Sequence, residues 1–292
     1  MVSAKKSLVG YAFISPWLLG FLAFTAYPFL TSLYLSFTRY NIVQTPVWVG
    51  GANYHNLLTG DPLFWKSLGV TFHFALIAVP LGVILGVTLA LLLNLDLKGM
   101  GVYRTIFFLP SILPTVATSV VFLWLFNPEI GLINRILRAV GVTGPEWLQS
   151  PQWALPSLVI LSLWAVGGSM VIYLAGLKDI PTHLYEAATI DGATAWQRLR
   201  HVTLPMLSPV IFFNLIMGVI GVFQYFTEAY IMTPGGGPED STHFYAVYLF
   251  ERAWRYLDMG YASAMAWVLF LVIMVITGLL FWTQRRWVHY EG

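Results

Sequence analysis

Six stretches of this 292-residue chain run for 24 residues or more without Asp, Glu, Lys or Arg: residues 7–38, 67–95, 105–128, 147–177, 201–227 and 259–284. Each exceeds the ~20 residues an α-helix needs to cross the hydrocarbon core of a bilayer. Water is absent there, so the backbone must satisfy its own N–H and C=O groups, and helices do this within one segment. The chain therefore reads as an all-α, polytopic membrane protein with six transmembrane helices. Composition agrees, with 58% hydrophobic and 10% charged residues against about 25% charged in soluble domains. Lys5 and Lys6 precede the first run as they would in a signal peptide, but the run is far too long for a signal core and shows no A-x-A cleavage site, so it reads as an anchor.

Counting Lys and Arg in alternate loops orients these spans. One side carries Lys5, Lys6, Lys98, Arg104, Lys178, Arg198, Arg200, Arg285 and Arg286; the other carries Arg39, Lys66, Arg135, Arg138, Arg252 and Arg255 together with most of the acids. Both termini and the loop over residues 179–206 are expected in the cytoplasm. The chain has no cysteine, so no disulfide or thiolate metal site is available, and a net charge of +2 does not suggest nucleic acid. His73 stands alone, without a second ligand at metal spacing, and reads as a structural residue.

A long stretch of water-facing character between two apolar runs is Pro181–Pro209, PTHLYEAATIDGATAWQRLRHVTLPMLSP. Pro181 suits a helix start, Gly192 interrupts a helix-compatible sequence, and Pro205 and Pro209 are expected to end it, giving two short helices that meet at a bend. Small Ala187 and Ala188 permit close approach of another helix, and Glu186 can meet a cation. One reading is an interfacial amphipathic helix without a partner.

Spelled as Glu186-Ala187-Ala188, Asp191-Gly192-Ala193 and Leu204-Pro205, the stretch resembles the EAA loop of permeases of binding-protein-dependent ABC importers. Other segments are similar to sugar permeases of that family: VGGANYHNLL, Leu109-Pro110 with Pro114 followed by Trp124–Pro128, TPGGGP at 233–238, and DMGYASA at 258–264. The resemblance implies the type I importer fold. It divides the chain into a first transmembrane helix with an external loop (1–62), a permease core (63–284) and a cytoplasmic tail (285–292). It implies that Glu186, Ala187, Ala188, Asp191, Gly192, Leu204 and Pro205 couple the chain to an ATPase. The implied partners are a second permease, two ATPase subunits that hold ATP and Mg, and an external substrate-binding protein. The implied location is a bacterial or archaeal inner membrane.

Polar residues are scarce in the spans, so a sugar site must recruit those present. They are Ser111 and Thr115 beside the proline pair of span three, Gly167 and Ser169 in span four, and Gln224, Tyr225 and Glu228 in span five, read as Pro209–Thr233. Glu228 is the only carboxylate within a span, and a lone charge in hydrocarbon costs at least ~2.5 kcal/mol, so it should face a cavity or an interface. Glu228 could also be the ion site of a self-contained secondary transporter, although no inverted repeat with paired broken helices is visible. The chain has no P-loop, no H-E-x-x-H and no G-x-S-x-G, so neither ATP hydrolysis nor protease or esterase chemistry is expected of it and no metal site is assigned.

Overall fold

The computed structural model describes residues 4–289. Residues 290–292 of the expected tail lie outside the described residues, as do the side chains of Lys5 and Lys6. The chain forms two compact units, Met1–Pro62 with Leu249–Leu271, and Leu63–Tyr248 with Val272–Gly292.

In the first unit, α1 (Ala4–Phe21), a π-turn (Leu22–Ala26) and α2 (Tyr27–Ser36) run on as one apolar rod. Its end is pinned by the asparagine and tyrosine of VGGANYHNLL. Asn53 Nδ2 donates to the carbonyls of Ser36 and Thr38, both at 2.9 Å, and the Tyr54 hydroxyl donates to Ser36 Oγ at 2.7 Å. Both residues belong to α3 (Ala52–Thr59), which follows a short antiparallel ladder of β1 (Thr38–Arg39) and β2 (Val47–Trp48). The small-residue start of α15 (Met259–Gln284) has a local cause. Gly260 donates to the Tyr40 carbonyl at 3.1 Å, and a Cβ there would overlap the Thr38 carbonyl oxygen. Buried Asp61 accepts from the Tyr261 hydroxyl and faces the Arg252 guanidinium at 3.5 Å, which itself lies 4.7 Å from the Tyr261 ring centroid.

The second unit is built around α4 (Pro62–Leu93), whose Gly82, Gly86 and Ala90 recur at four-residue spacing and can admit a neighbouring helix. Ala90 is fully buried, and a Cβ on Gly86 would fall 2.8 Å from the Tyr173 ring, so α9 (Gly167–Lys178) does lie against this stripe. Val87, Ala90 and Leu93 form one apolar cluster with Met170, Tyr173, Leu177 and Leu207; Phe74 and Ala78, earlier in α4, join another around Phe122, Phe126, Trp147, Leu158 and Phe244. Between spans three and four, α7 (Leu132–Ala139) carries Arg135 and Arg138, and its Asn134 is buried and accepts from Trp147 Nε1 at 2.8 Å.

Among the described residues, four helices are long and apolar enough to cross a membrane, or six if each of two broken pairs is one span. Over Leu109–Pro114 the chain passes from α5 (Met100–Phe108) through a 3₁₀ turn, Leu113 becomes extended, and α6 (Thr115–Leu125) leaves at 99°. The ring of Pro114 disfavours helical geometry at the residue before it, and Leu113 is extended there, while Pro110 supplies no N–H; together they end the helix rather than bend it. Span four breaks between α8 (Pro151–Trp164) and α9 at 46°.

Pro205 and Pro209 do the opposite of what the sequence suggested. The helix is not ended there; it runs from α11 (Ala195–Arg198) through a π-turn (Leu199–Thr203) into α12 (Leu204–Phe223). In the π-turn the Leu204 N–H reaches the Leu199 carbonyl, five residues back. The hydrogen bond that Pro205 cannot make thus falls where the ladder is already changing register. The bond that Pro209 cannot donate to the Pro205 carbonyl is replaced by the Ser208 hydroxyl at 2.6 Å.

Candidate functional site

Two regions of the second unit gather the residues singled out from sequence. The first is the loop between α9 and α12. Here α10 (Thr182–Ile190) starts after Pro181, which sits at the cap position rather than in the first turn. It ends in a Schellman arrangement: Gly192 has φ +76°, its N–H reaches the Thr189 carbonyl, and the Ala193 N–H reaches the Ala188 carbonyl at 2.9 Å. A residue with a Cβ is disfavoured at such a φ, and this is the physical reason for glycine after Asp191. α11 then begins with a capping box in which Thr194 and Gln197 exchange bonds, a T-x-x-Q signal legible in the sequence but missed there. Arg198 bridges back to Thr189 Oγ at 3.2 Å, and the Tyr185 hydroxyl meets Thr203 Oγ at 3.1 Å, so the two helices on either side of Gly192 hold each other.

Glu186, Ala187, Asp191 and Gly192 are exposed, Ala188, Leu204 and Pro205 half-buried. Two apolar side chains flanking the turn are exposed, Ile190 at 87% and Trp196 at 67%.

The second region is a cavity of about 210 Å³ lined by Pro110, Ser111, Leu113, Thr115, Thr118, Leu161, Ser162, Ala165 and Glu228. The break in span three opens it, and Glu228 reaches it from the first turn of α13 (Thr227–Met232), a short helix that restarts after Gln224–Phe226. The hydroxyls of Ser111 and Ser162 donate to the carbonyls of Phe108 and Val159, at 2.7 and 2.8 Å. Their oxygens keep accepting lone pairs, which with the carboxylate makes a wall rich in acceptors.

Of the sequence candidates, the structure brings together Ser111, Thr115 and Glu228, and it adds Thr118 and Ser162. Ser169 lines a separate cavity of about 270 Å³ with Tyr173, Asn214 and Ser162, so Ser162 borders both. Gly167 packs against the Phe107 backbone, where a Cβ would overlap the carbonyl oxygen. Gln224 is exposed, and the Tyr225 ring lies in the apolar cluster 4.7 Å from Phe74 and 5.1 Å from Phe244. Ser162 was overlooked because nothing in a helical SLW sequence distinguishes a serine facing a cavity from one bonded to its own helix. The signal would have been its position one turn before the helix break.

An all-helical membrane unit with broken spans, an internal polar cavity and an exposed two-helix loop is the architecture of a transport permease. Residues 78–288 match the family described as binding-protein-dependent transport system inner membrane component, and the chain belongs to that family. It is a multi-pass ABC transporter permease. It is 48% identical over 291 residues to the probable ABC transporter permease protein YesP of Bacillus subtilis (strain 168), covering 99% of this chain and 94% of that protein. It is 36% identical over 283 residues to the lactose transport system permease protein LacF of Rhizobium radiobacter, covering 95% and 94%. Its fold is similar to a chain of a bacterial ABC transporter involved in the import of the acidic polysaccharide alginate, with TM-score 0.86, 23% identity and coverage of 97% and 96%.

Proposed function

We propose that this chain is one of two permeases that together form the membrane pathway of an ATP-driven importer for a di- or oligosaccharide, delivered by an external binding protein. In this reading both termini and the loop around Gly192 face the cytoplasm, and ATP and Mg are held by two ATPase subunits. Residues 1–62 form an outer helix and external loop, and 63–284 form the working core.

The observation that carries the proposal is the way one rigid loop connects to the helices around the two cavities. α9 and α12 share an apolar cluster with α4, and the Glu186–Gln197 turn is suspended between them with Ile190 and Trp196 exposed. A force applied to that turn passes into the helix of Ser169 on one side and into the helix leading to Glu228 on the other. Glu186 offers the turn's charge for a cationic partner, and Ala187 and Ala188 let a partner helix approach closely. Leu204 and Pro205 place the soft π-turn at the outgoing end.

The cavity supplies what a sugar requires, acceptors for hydroxyl protons from Ser111, Thr115, Thr118, Ser162 and Glu228 beside apolar Leu113 and Leu161. Ser169, Gly167, Gln224 and Tyr225 shape the helices around it, Ser169 doing so from the neighbouring cavity. The similarity to the lactose permease supports a saccharide as cargo. The test is uptake of a panel of labelled mono-, di- and oligosaccharides by cells carrying or lacking this gene. Loss of uptake for one saccharide class, restored by the wild-type chain but not by Glu186→Lys, is expected; unchanged uptake across the panel would refute the reading.

A further inference from the structure

The end of the chain makes a contact that its position in the sequence does not suggest. After α15 the residues Arg285–His289 turn back onto α12. The His289 backbone N–H donates to Ser208 Oγ at 2.9 Å, and the Trp287 ring meets Phe212 edge-on with centroids 5.7 Å apart. Phe212 is buried and also packs on Phe281 at 5.2 Å.

Ser208 is the residue whose hydroxyl closes the gap that Pro209 leaves at the Pro205 carbonyl. Tail and helix are therefore linked in series, from His289 N–H to Ser208 Oγ and from the Ser208 hydroxyl to the Pro205 carbonyl. Each bond polarises the next, so losing the outer one weakens the inner. Pro205 lies two residues past the π-turn at the outgoing leg of the loop, where two prolines and a register change make the helix easiest to bend. Beside this joint lies a cavity of about 230 Å³ between Gly176, Asp179 and Ile180 at the incoming leg, Met206, Pro209 and Val210 at the outgoing leg, and His289. The two legs thus have room to move toward each other, and the tail sits at the edge of that space.

We infer that the carboxyl-terminal segment is a latch, with Ser208 as its positioning residue, that holds the outgoing leg of the loop in its resting geometry until ATP drives it over. The inference rests on the coupling reading of the Glu186–Pro205 loop. Releasing the latch should raise ATP hydrolysis in the absence of cargo by about twofold to tenfold, the range expected from one net hydrogen bond.

Because the chain lacks cysteine, the double variant Ser208→Cys/His289→Cys can be closed by oxidation and reopened by a thiol reductant in the complex purified with its own ATPase subunits. The reduced pair, and Ser208→Ala alone, should hydrolyse MgATP faster than wild type without cargo; the oxidised pair should fall below it. Equal hydrolysis in both redox states, or no disulfide under copper–phenanthroline oxidation, overturns the latch. Glu186→Lys, run alongside, separates the two claims: if it keeps the ATPase attached and fully active, the coupling reading itself has failed; if it releases the ATPase while the cysteine pair has no effect, only the latch has.

Discussion

Gly192 offers the sharpest test of how the loop is built. It is the left-handed residue that ends α10, with φ +76° and open space where a Cβ would be, so a substitution there is penalised by conformation alone and not by a clash. For a residue with a Cβ the left-handed conformation costs roughly 1–2 kcal/mol, less for Asn, whose side chain can bond locally. Proline cannot adopt it, because its ring holds φ near −65°. If the ATPase recognises only the bent loop, its apparent affinity falls by the fraction of loops that stay bent, since a competent state populated to a fraction f binds 1/f times more weakly. A penalty of ~1–2 kcal/mol corresponds to about fivefold to thirtyfold. The predicted order of ATPase retention is Gly192, then Asn, then Ala, then Val, with Pro abolishing attachment. Titration of detergent-solubilised permease with its ATPase, read by co-migration in size exclusion, measures the series. Ala or Val binding as tightly as Gly, or Asn binding more weakly than Ala, would refute the argument that a backbone angle is what this position supplies.

Other outcomes follow from the same geometry. Glu228→Gln keeps the shape of the cavity wall and removes its charge; loss of a charge-assisted bond to a sugar hydroxyl, about 1.5–3 kcal/mol, should lower uptake at subsaturating substrate by roughly tenfold to a hundredfold with ATPase attachment unchanged. Arg252→Leu leaves buried Asp61 without its guanidinium and should cost about 3–5 kcal/mol, seen as lost yield and a lower unfolding temperature, while adding Asp61→Asn should restore part of it. Single cysteines placed at residue 53 or 240 should be labelled from outside the cell by an impermeant reagent and one at 197 should not; the reverse pattern would invert the orientation.

The sequence was most informative where a rule of covalent chemistry applied. Charge-free runs located the spans because hydrocarbon accepts nothing else, and Gly192 located the bend because few residues tolerate its φ. Prolines were less transparent. Pro110 and Pro114 do break their helix, and by a right angle rather than a kink, whereas Pro205 and Pro209 are absorbed, because a π-turn and the Ser208 hydroxyl stand where the missing bonds would be. Whether a proline breaks a helix depends on which neighbours can serve the carbonyls it orphans, and that is a tertiary fact. The cavity was legible only in part for the same reason. Ser111, Thr115 and Glu228 meet at a helix break, but Ser162 enters from α8, and the Tyr225 ring turns instead into an aromatic cluster with Phe74 and Phe244. Rarity of polar residues identified candidates; it could not say which of them face the same space.

If a saccharide crosses the membrane through the cavity of this chain at the expense of ATP, filling that cavity should stop transport. Thr118→Trp places an indole among Ser111, Thr115, Ser162 and Glu228 and leaves the Glu186–Gln197 turn untouched. In proteoliposomes holding the complete transporter with ATP inside and a saccharide-loaded binding protein outside, the wild-type chain should accumulate labelled saccharide only when ATP is present. The Thr118→Trp chain should retain its ATPase subunits and accumulate none. Undiminished uptake by the filled variant, or uptake by the wild type without ATP, would contradict the account.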